Sequence, residues 1–201
     1  MGFSFFFRDV AEMDLILQYA LPELMNNTRI NIWSAGCSAG QEPYTLAIKL
    51  RENMGYFSFK KVKIYATDID NTNEDFGTVI RNGCYQRDNV IRIPPEILSK
   101  YFTPLHDGCE FQIIDEIKNV IEYQKHDLLS YQEIRSAINV IMCKNVLLHL
   151  HEEQRIEVIK MFYRALADKG FFIMERTQEM PAAVNHLFER VTNSEQFFRK
   201  K

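Results

Sequence analysis

The chain has 201 residues, enough for one domain with an adequate buried core, and its 46% apolar and 12% aromatic content is that of a globular protein. A net charge of -3, with basic residues dispersed along the chain, disfavours a nucleic-acid partner. There is no run of about 18 apolar residues and no signal-peptide pattern, and Cys37, Cys84, Cys109 and Cys143 form no CxxC pair, so membrane insertion, a zinc site and a disulfide framework are all disfavoured and a reduced, cytoplasmic setting is expected.

Residues 2–9 read GFSFFFRD, four phenylalanines beside Arg8 and Asp9. Such a segment docks on a domain as an apolar strap, and it places Arg8 where an apolar wall holds a guanidinium over a pocket. Val10, Met13, Ile16, Leu17, Ala20 and Leu24 then recur at helical spacing, with Pro22 bending or dividing the segment.

Residues 29–50, RINIWSAGCSAGQEPYTLAIKL, predict a buried strand, a loop of small residues and a helix in immediate succession. Glu42, Pro43 and Tyr44 open the helix, with an acid in its first turn and proline where a missing N–H costs nothing. Tyr44, Ala47, Leu50 and Met54 follow at helical spacing. Ala35 and Gly36 begin the loop, which lets a ligand approach the backbone closely and meet the unpaired N–H groups of the helix start. Gly36 and Gly40 do not make a GxGxxG pattern and no GxxxxGK[ST] loop is present, which demotes NAD and ATP. Glu42 repels a pyrophosphate but suits a ligand with cationic or hydroxyl groups, such as S-adenosylmethionine.

The second strand, 62–70, VKIYATDID, ends in two acids. In doubly wound folds an acid at the carboxyl end of that strand takes ribose hydroxyls, and Asp68 is the better placed; Asp70 is expected to cap the following helix. From 82 to 123 the βαβα rhythm breaks, which predicts an inserted β-subdomain within the single domain 1–201. In it Pro94 and Pro95 begin a short helix to about Phe102, residues 106–108 turn, and 109–114 pairs with 119–123 as antiparallel strands. The stretch 119–126 also merges with the third parallel strand, followed by Asp127, Leu128 and Leu129. Residues 138–143, INVIMC, are apolar enough for a parallel strand covered on both faces, and they deliver Lys144, Asn145 and His149 to the ligand side. A helix over 151–166, a strand over 170–174 and a closing hairpin of 188–191 with 196–198 complete the chain.

Taken together, SFFFRD, WSAGCSAGQEPYTLA, YATDID, HDLL and MCKNVLLHL, in this order, resemble the catalytic domain of the CheR-type chemotaxis receptor methyltransferases. The resemblance implies a seven-stranded, doubly wound, Rossmann-like fold using S-adenosylmethionine, leaving S-adenosylhomocysteine, and methylating glutamates on the cytoplasmic helices of a chemoreceptor partner. By position, Ser4 and Arg8 match the family's Thr and Arg in the phenylalanine-rich motif. Glu42 matches its cofactor-binding acid, Asp68 its ribose-binding acid, Asp127 and Leu128 an Asn-Leu pair beside the adenine, and Asn145 the Asn after the fourth strand. Lys144 stands where the family usually has Arg, His149 where it has Tyr, and residues 175–178, ERTQ, where it has Gly-His-Ser-Glu. The family's helical N-terminal domain has no counterpart in these residues, and the expected form is a monomer.

Methyl transfer to a carboxylate is an in-line displacement that needs alignment and exclusion of water. A glutamate, with a reference pKa of about 4.3, is already ionised at pH 7 and requires no base. Arg8 is expected to hold a carboxylate of cofactor or acceptor, and Lys144 and His149 to line the acceptor side. No Asn/Asp-Pro-Pro-aromatic turn of an amine methyltransferase follows 143, and Cys143 lacks the preceding proline of a cytosine C5 enzyme, so it is expected in the core. The competing readings are a cofactor-binding sensor or scaffold without transfer, a methyltransferase with another acceptor, and an interaction domain with an empty loop.

Overall fold

The computed structural model describes residues 4–8, 10–70 and 75–201; Phe3 and Asp9 of the phenylalanine-rich motif lie outside them. The central sheet begins where the apolar run after Arg29 dictates, at β1 (Ile30–Ala35). It continues with β2 (Val62–Asp68), β6 (Ile121–Lys125), β7 (Ile138–Cys143), β8 (Leu166–Met174), β9 (Phe188–Arg190) and β10 (Phe197–Lys200). Its order is β6-β2-β1-β7-β8-β10-β9, parallel through β8, with β10 antiparallel to both of its neighbours. This is a doubly wound, mostly parallel seven-stranded sheet, as expected.

Alternation along each strand sends side chains to two cores. Ile30, Ile32, Ile64, Val140 and Met142 face one, with Tyr44, Ala47 and Leu50. These come from α3 (Gln41–Asn53), and Met13 and Ile16 join them from the N-terminal helical segment. Trp33, Ile141 and Phe172 face the other, against Val158, Ile159 and Phe162 of α9 (Glu152–Ala165). Trp33 is fully buried, meets Phe162 edge-on at 5.1 Å, and donates its indole N–H to Thr67 Oγ1 at 2.8 Å, so burial leaves no donor stranded. The expected buried Cys143 is 0% exposed, and burial pushes its thiol well up.

Pro22 divides the N-terminal segment as expected, and the structure shows how. After α1 (Val10–Leu15) the chain makes a wide π turn over Ile16–Ala20 and resumes as α2 (Leu21–Leu24), with the Leu21 N–H reaching back to Ile16 O. Proline has no N–H to give, so the extra residue is taken up in the turn before it.

A short α4 (Tyr56–Phe59) precedes β2, and between β2 and β6 lie α5 (Phe76–Asn82), β3 (Cys84–Gln86), α6 (Arg87–Val90), α7 (Pro95–Tyr101), β4 (Phe102–Leu105), β5 (Glu110–Ile113) and α8 (Asp115–Lys118). Two expectations are corrected here. Residues 109–114 do not pair with 119–123: β5 pairs antiparallel with β3 and β4, while β6 lies parallel to β2 in the main sheet. The turn of α8 separates them, and β6 puts Ile121 and Tyr123 onto the sheet core that an isolated hairpin could not offer. Asp70 does not cap α5; Asp75 does, accepting from Thr78 N at 3.0 Å, while Asp70 sits at φ 53° with its N–H turned to Asp68 Oδ1. The expected strand 170–174 starts earlier, at Leu166, across an irregularity with Lys169 at φ 58°. The last helix, α10 (Ala182–Asn185), precedes the closing antiparallel pair.

The three-stranded sheet is anchored to the strap. Phe6 is 0% exposed and meets Tyr85 at 4.8 Å and Phe102 at 5.5 Å, both edge-on. Phe7, at φ 59°, donates its N–H to Thr45 Oγ1 of α3 at 3.1 Å.

Candidate active site

The loops after β1, β2, β6 and β7 meet the strap around a cleft of about 580 Å³ at the carboxyl edge of the sheet, a size normal for a small-molecule site. The first loop is tied down from below: Gly36 N and Cys37 N donate to Thr67 O at 2.8 and 2.9 Å, and Tyr85 Oη donates to Ala39 O at 2.7 Å. Gly36 is at φ +83°, and a Cβ there would lie 2.2 Å from Val146 Cγ2, so only glycine lets this loop and the one after β7 interlock. Gly40, at φ +90°, starts α3.

Asp68, at the end of β2, accepts Ser38 N at 2.8 Å and Asp70 N at 3.2 Å, which fixes its carboxylate at the cleft wall. Glu42, in the first turn of α3, accepts from Ser34 Oγ at 2.7 Å. Asp127 caps a short 3-10 turn by accepting Leu129 N at 2.8 Å, and Leu128 behind it is buried. Asn145 adopts φ 58°, turning the chain sharply after β7, and exposed His149 ends the next 3-10 turn.

Ser4, Arg8, Gly36, Glu42, Asp68, Asp127, Leu128, Lys144, Asn145 and His149 all line this cleft. Ala35 does not. It is 0% exposed, and the alternation of β1 turns its methyl group into the core that holds Trp33. Phe5, Cys37, Ser38, Ile69, Phe76, Leu129 and Val146 also line the cleft and were not expected; Ile69 directly follows the ribose acid in the sequence, an apolar signal that was available. Cys37 is buried with its thiol pushed well up by burial and by the neighbouring carboxylates, so it is no nucleophile.

Two buried carboxylates were missed. Lys144, 7% exposed, forms an ion pair through Nζ with Glu12 Oε1 of α1, itself 8% exposed. Glu175, just after β8, is 3% exposed, and the backbone N–H groups near its carboxylate lie outside good hydrogen-bond geometry. Burial raises its pKa above the ordinary carboxylate value, an effect only partly offset by backbone N–H groups including those of Leu148 and Asn145. Among the described residues no group of His, Cys, Asp and Glu is arranged to hold a metal ion, and no helix is long and apolar enough to cross a membrane.

A doubly wound sheet with this strand order, an acid at the end of its second strand and a glycine loop without phosphate-binding pattern define an S-adenosylmethionine-binding domain. The cleft fits that cofactor: Asp68 suits the ribose diol, the apolar Leu128, Ile69 and Phe76 suit adenine, and Glu42 suits an ammonium. The fold itself is shared with known structures. An rRNA methyltransferase from Streptomyces viridochromogenes, aviRa, superposes with a TM-score of 0.58 at 13% identity over 98% of this chain and 85% of that one. PKMT2 from Rickettsia typhi, in complex with AdoHcy, superposes at 0.51 and 12% identity over 87% and 26%.

Residues 3–197 match the family described as "CheR methyltransferase, SAM binding domain", and the chain belongs to that family. It is 31% identical over 185 residues to the chemotaxis protein methyltransferase of Borreliella burgdorferi, covering 87% of this chain and 63% of that protein. It is 27% identical over 184 residues to chemotaxis protein methyltransferase 2 of Vibrio cholerae, covering 88% and 62%. The chain thus spans less than two thirds of either relative's length.

Proposed function

We propose that the chain is the catalytic domain of a protein-glutamate O-methyltransferase that acts on a chemoreceptor in the cytoplasm, working as a monomer. The observation that carries this reading is the convergence of Arg8, Glu42, Asp68, Asn145 and His149, from separate segments, on one cleft in a chain of this family. When bound, S-adenosylmethionine supplies an electrophilic methyl on its sulfonium; everything else falls to the chain's own residues.

Asp68, held by two backbone N–H groups, keeps oxygen lone pairs for the ribose hydroxyls. Leu128 and Ile69 flank the adenine, beside Asp127. Glu42, fixed by Ser34, faces the α-amino group. Arg8 holds a carboxylate through its planar fork, and His149 stands exposed on the acceptor side. Asn145 presents its side chain from a turn that Val146 locks against Gly36. Lys144 has its ammonium committed to Glu12, so its part is to set the position of this turn rather than to touch the reacting atoms. An acceptor glutamate arrives ionised, and the site has only to align it and keep water out.

The test uses the alkali lability of a methyl ester. Chemoreceptor protein labelled with radioactive methyl cofactor should release volatile methanol when the pH is raised. Label that stays on protein, or that appears on nucleic acid alone, refutes carboxylate methylation. Binding of S-adenosylhomocysteine without any transfer supports a sensor or scaffold instead.

A further inference from the structure

A second concavity lies at the opposite end of the sheet. It is a groove of about 1040 Å³ lined at the amino ends of β1, β2 and β6 and by the segment before β7. Its cations are Arg29, Lys60, Lys61, Lys63 and Arg135, and its carboxylates are Glu116 and Glu122. In a chain of net charge -3 this is a local reversal of sign.

The groove's few acids do not neutralise it. Glu122 is taken by Lys63 at 3.1 Å, and Glu116 is taken by Arg51 at 2.5 Å. Lys60 lies over the Tyr56 ring at 4.3 Å, Arg135 lies over the Tyr65 ring at 4.5 Å, and Lys61 donates to Met25 O at 3.2 Å. All three therefore face neutral partners, and among the described residues Arg29, Lys60, Lys61 and Arg135 have no carboxylate partner. Arg29, Lys60 and Arg135 are exposed. The aromatic rings under two of the cations orient them and leave their outward donors available.

We infer that this groove is a docking site for an acidic polypeptide segment of the acceptor protein, away from the side chain being methylated. The guanidinium fork of Arg29 matches a carboxylate bidentately, Arg135 adds a charge whose Nη1 donates to Tyr65 Oη, and a concave trench suits an extended or helical segment better than a flat bilayer. That the partner is the acceptor rests on the methyl-transfer reading above; the charge of the groove does not. Strands of five to seven residues rise about 3.3 Å per residue, which puts the groove about 20 Å from the cofactor cleft, so both are occupied at once. Occupation of the groove raises the local concentration of acceptor glutamates at the cleft without contributing to the chemistry.

The probe is a fluorescein-labelled glutamate-rich peptide, with a glutamine-rich peptide of equal length as control, titrated by anisotropy against the full chain. The expected result is binding of the acidic peptide alone, weakening with salt and unaffected by saturating S-adenosylhomocysteine. The double variant Arg29→Glu/Lys60→Glu should weaken it about tenfold or more, as should the milder Arg29→Gln/Lys60→Gln in part. Calorimetry should show unchanged S-adenosylhomocysteine affinity in both, which certifies their folding. Peptide binding that is unchanged in the variants, or that competes with S-adenosylhomocysteine, overturns the inference. Binding to phosphatidylglycerol vesicles but not to the peptide overturns it in favour of a membrane surface. Failure of S-adenosylhomocysteine to bind the wild-type chain would instead sink the methyl-transfer reading and leave the groove's peptide binding to be judged by its own titration.

Discussion

Substituting Lys144 by methionine removes one member of a buried ion pair and strands the other. Glu12 and Lys144 are 8% and 7% exposed, so neither charge can recover its hydration without local opening. Loss of one partner from such a pair costs about 3–5 kcal/mol, whereas replacing both by apolar groups of similar volume is near neutral. Lys144→Met and Glu12→Leu should therefore each destabilise the fold by about 3–5 kcal/mol, and the double variant by no more than about 1–2. The coupling in the cycle is then at least about 4 kcal/mol in magnitude, read by urea unfolding. In a domain of this size Lys144→Met should lower Tm by roughly 10 °C. Because Lys144 is assigned to positioning, the double variant should also bind S-adenosylhomocysteine to within about threefold of wild type. Additivity of the two single variants to within about 0.5 kcal/mol would refute the pairing. A double variant that is stable but cannot bind the cofactor product would show that the ammonium itself contacts the ligand.

Three further outcomes are expected. Asp68→Ala should weaken S-adenosylhomocysteine binding by about 10- to 100-fold in calorimetry, since charge-assisted hydrogen bonds contribute about 1.5–3 kcal/mol each. Gly36→Ala, which forces a Cβ within 2.2 Å of Val146 Cγ2 at positive φ, should lower both stability and cofactor affinity, and Val146→Ala in the same chain should restore part of each. Burial raises the Glu175 pKa, so the folded state holds that proton more tightly than the unfolded chain does; stability is therefore lost as pH rises from the ordinary carboxylate value through the raised one. Glu175→Gln should flatten that decline in pH-dependent urea unfolding and be the more stable protein at neutral pH, and an unchanged pH dependence would count against a buried, proton-holding carboxyl.

The parallel strands were legible because their signal is local and strong. INVIMC is apolar at nearly every position, as a doubly covered strand must be, and β7 occupies it residue for residue. The ribose acid and the helix-opening Glu42 were legible because backbone geometry fixes their place at strand and helix ends. The three-stranded sheet was harder to read. Cys84–Gln86 is three residues long, and β4 contains Pro104, which is tolerated only where no ladder N–H is needed. Pairing partners of such short strands are set by tertiary contacts such as Phe102 against Phe6, which no periodicity announces. Glu12 and Glu175 escaped notice for a related reason: an acid in a helix or after a strand reads as solvated until its burial is seen.

The aromatic cluster of Phe6, Tyr85 and Phe102 bears on how this domain can be re-engineered. The inserted strands supply the socket for the strap through that cluster and steady the glycine loop through Tyr85 Oη on Ala39 O. Two walls of the cleft therefore rest on residues that interrupt the Rossmann-like core rather than belong to it. Excising residues 84–113, or grafting that stretch from a relative without its matching phenylalanine and glycine-loop segments, would unseat the strap and loosen the loop together. Chimaeras of this family should exchange strap, glycine loop and inserted sheet as one transplantable set.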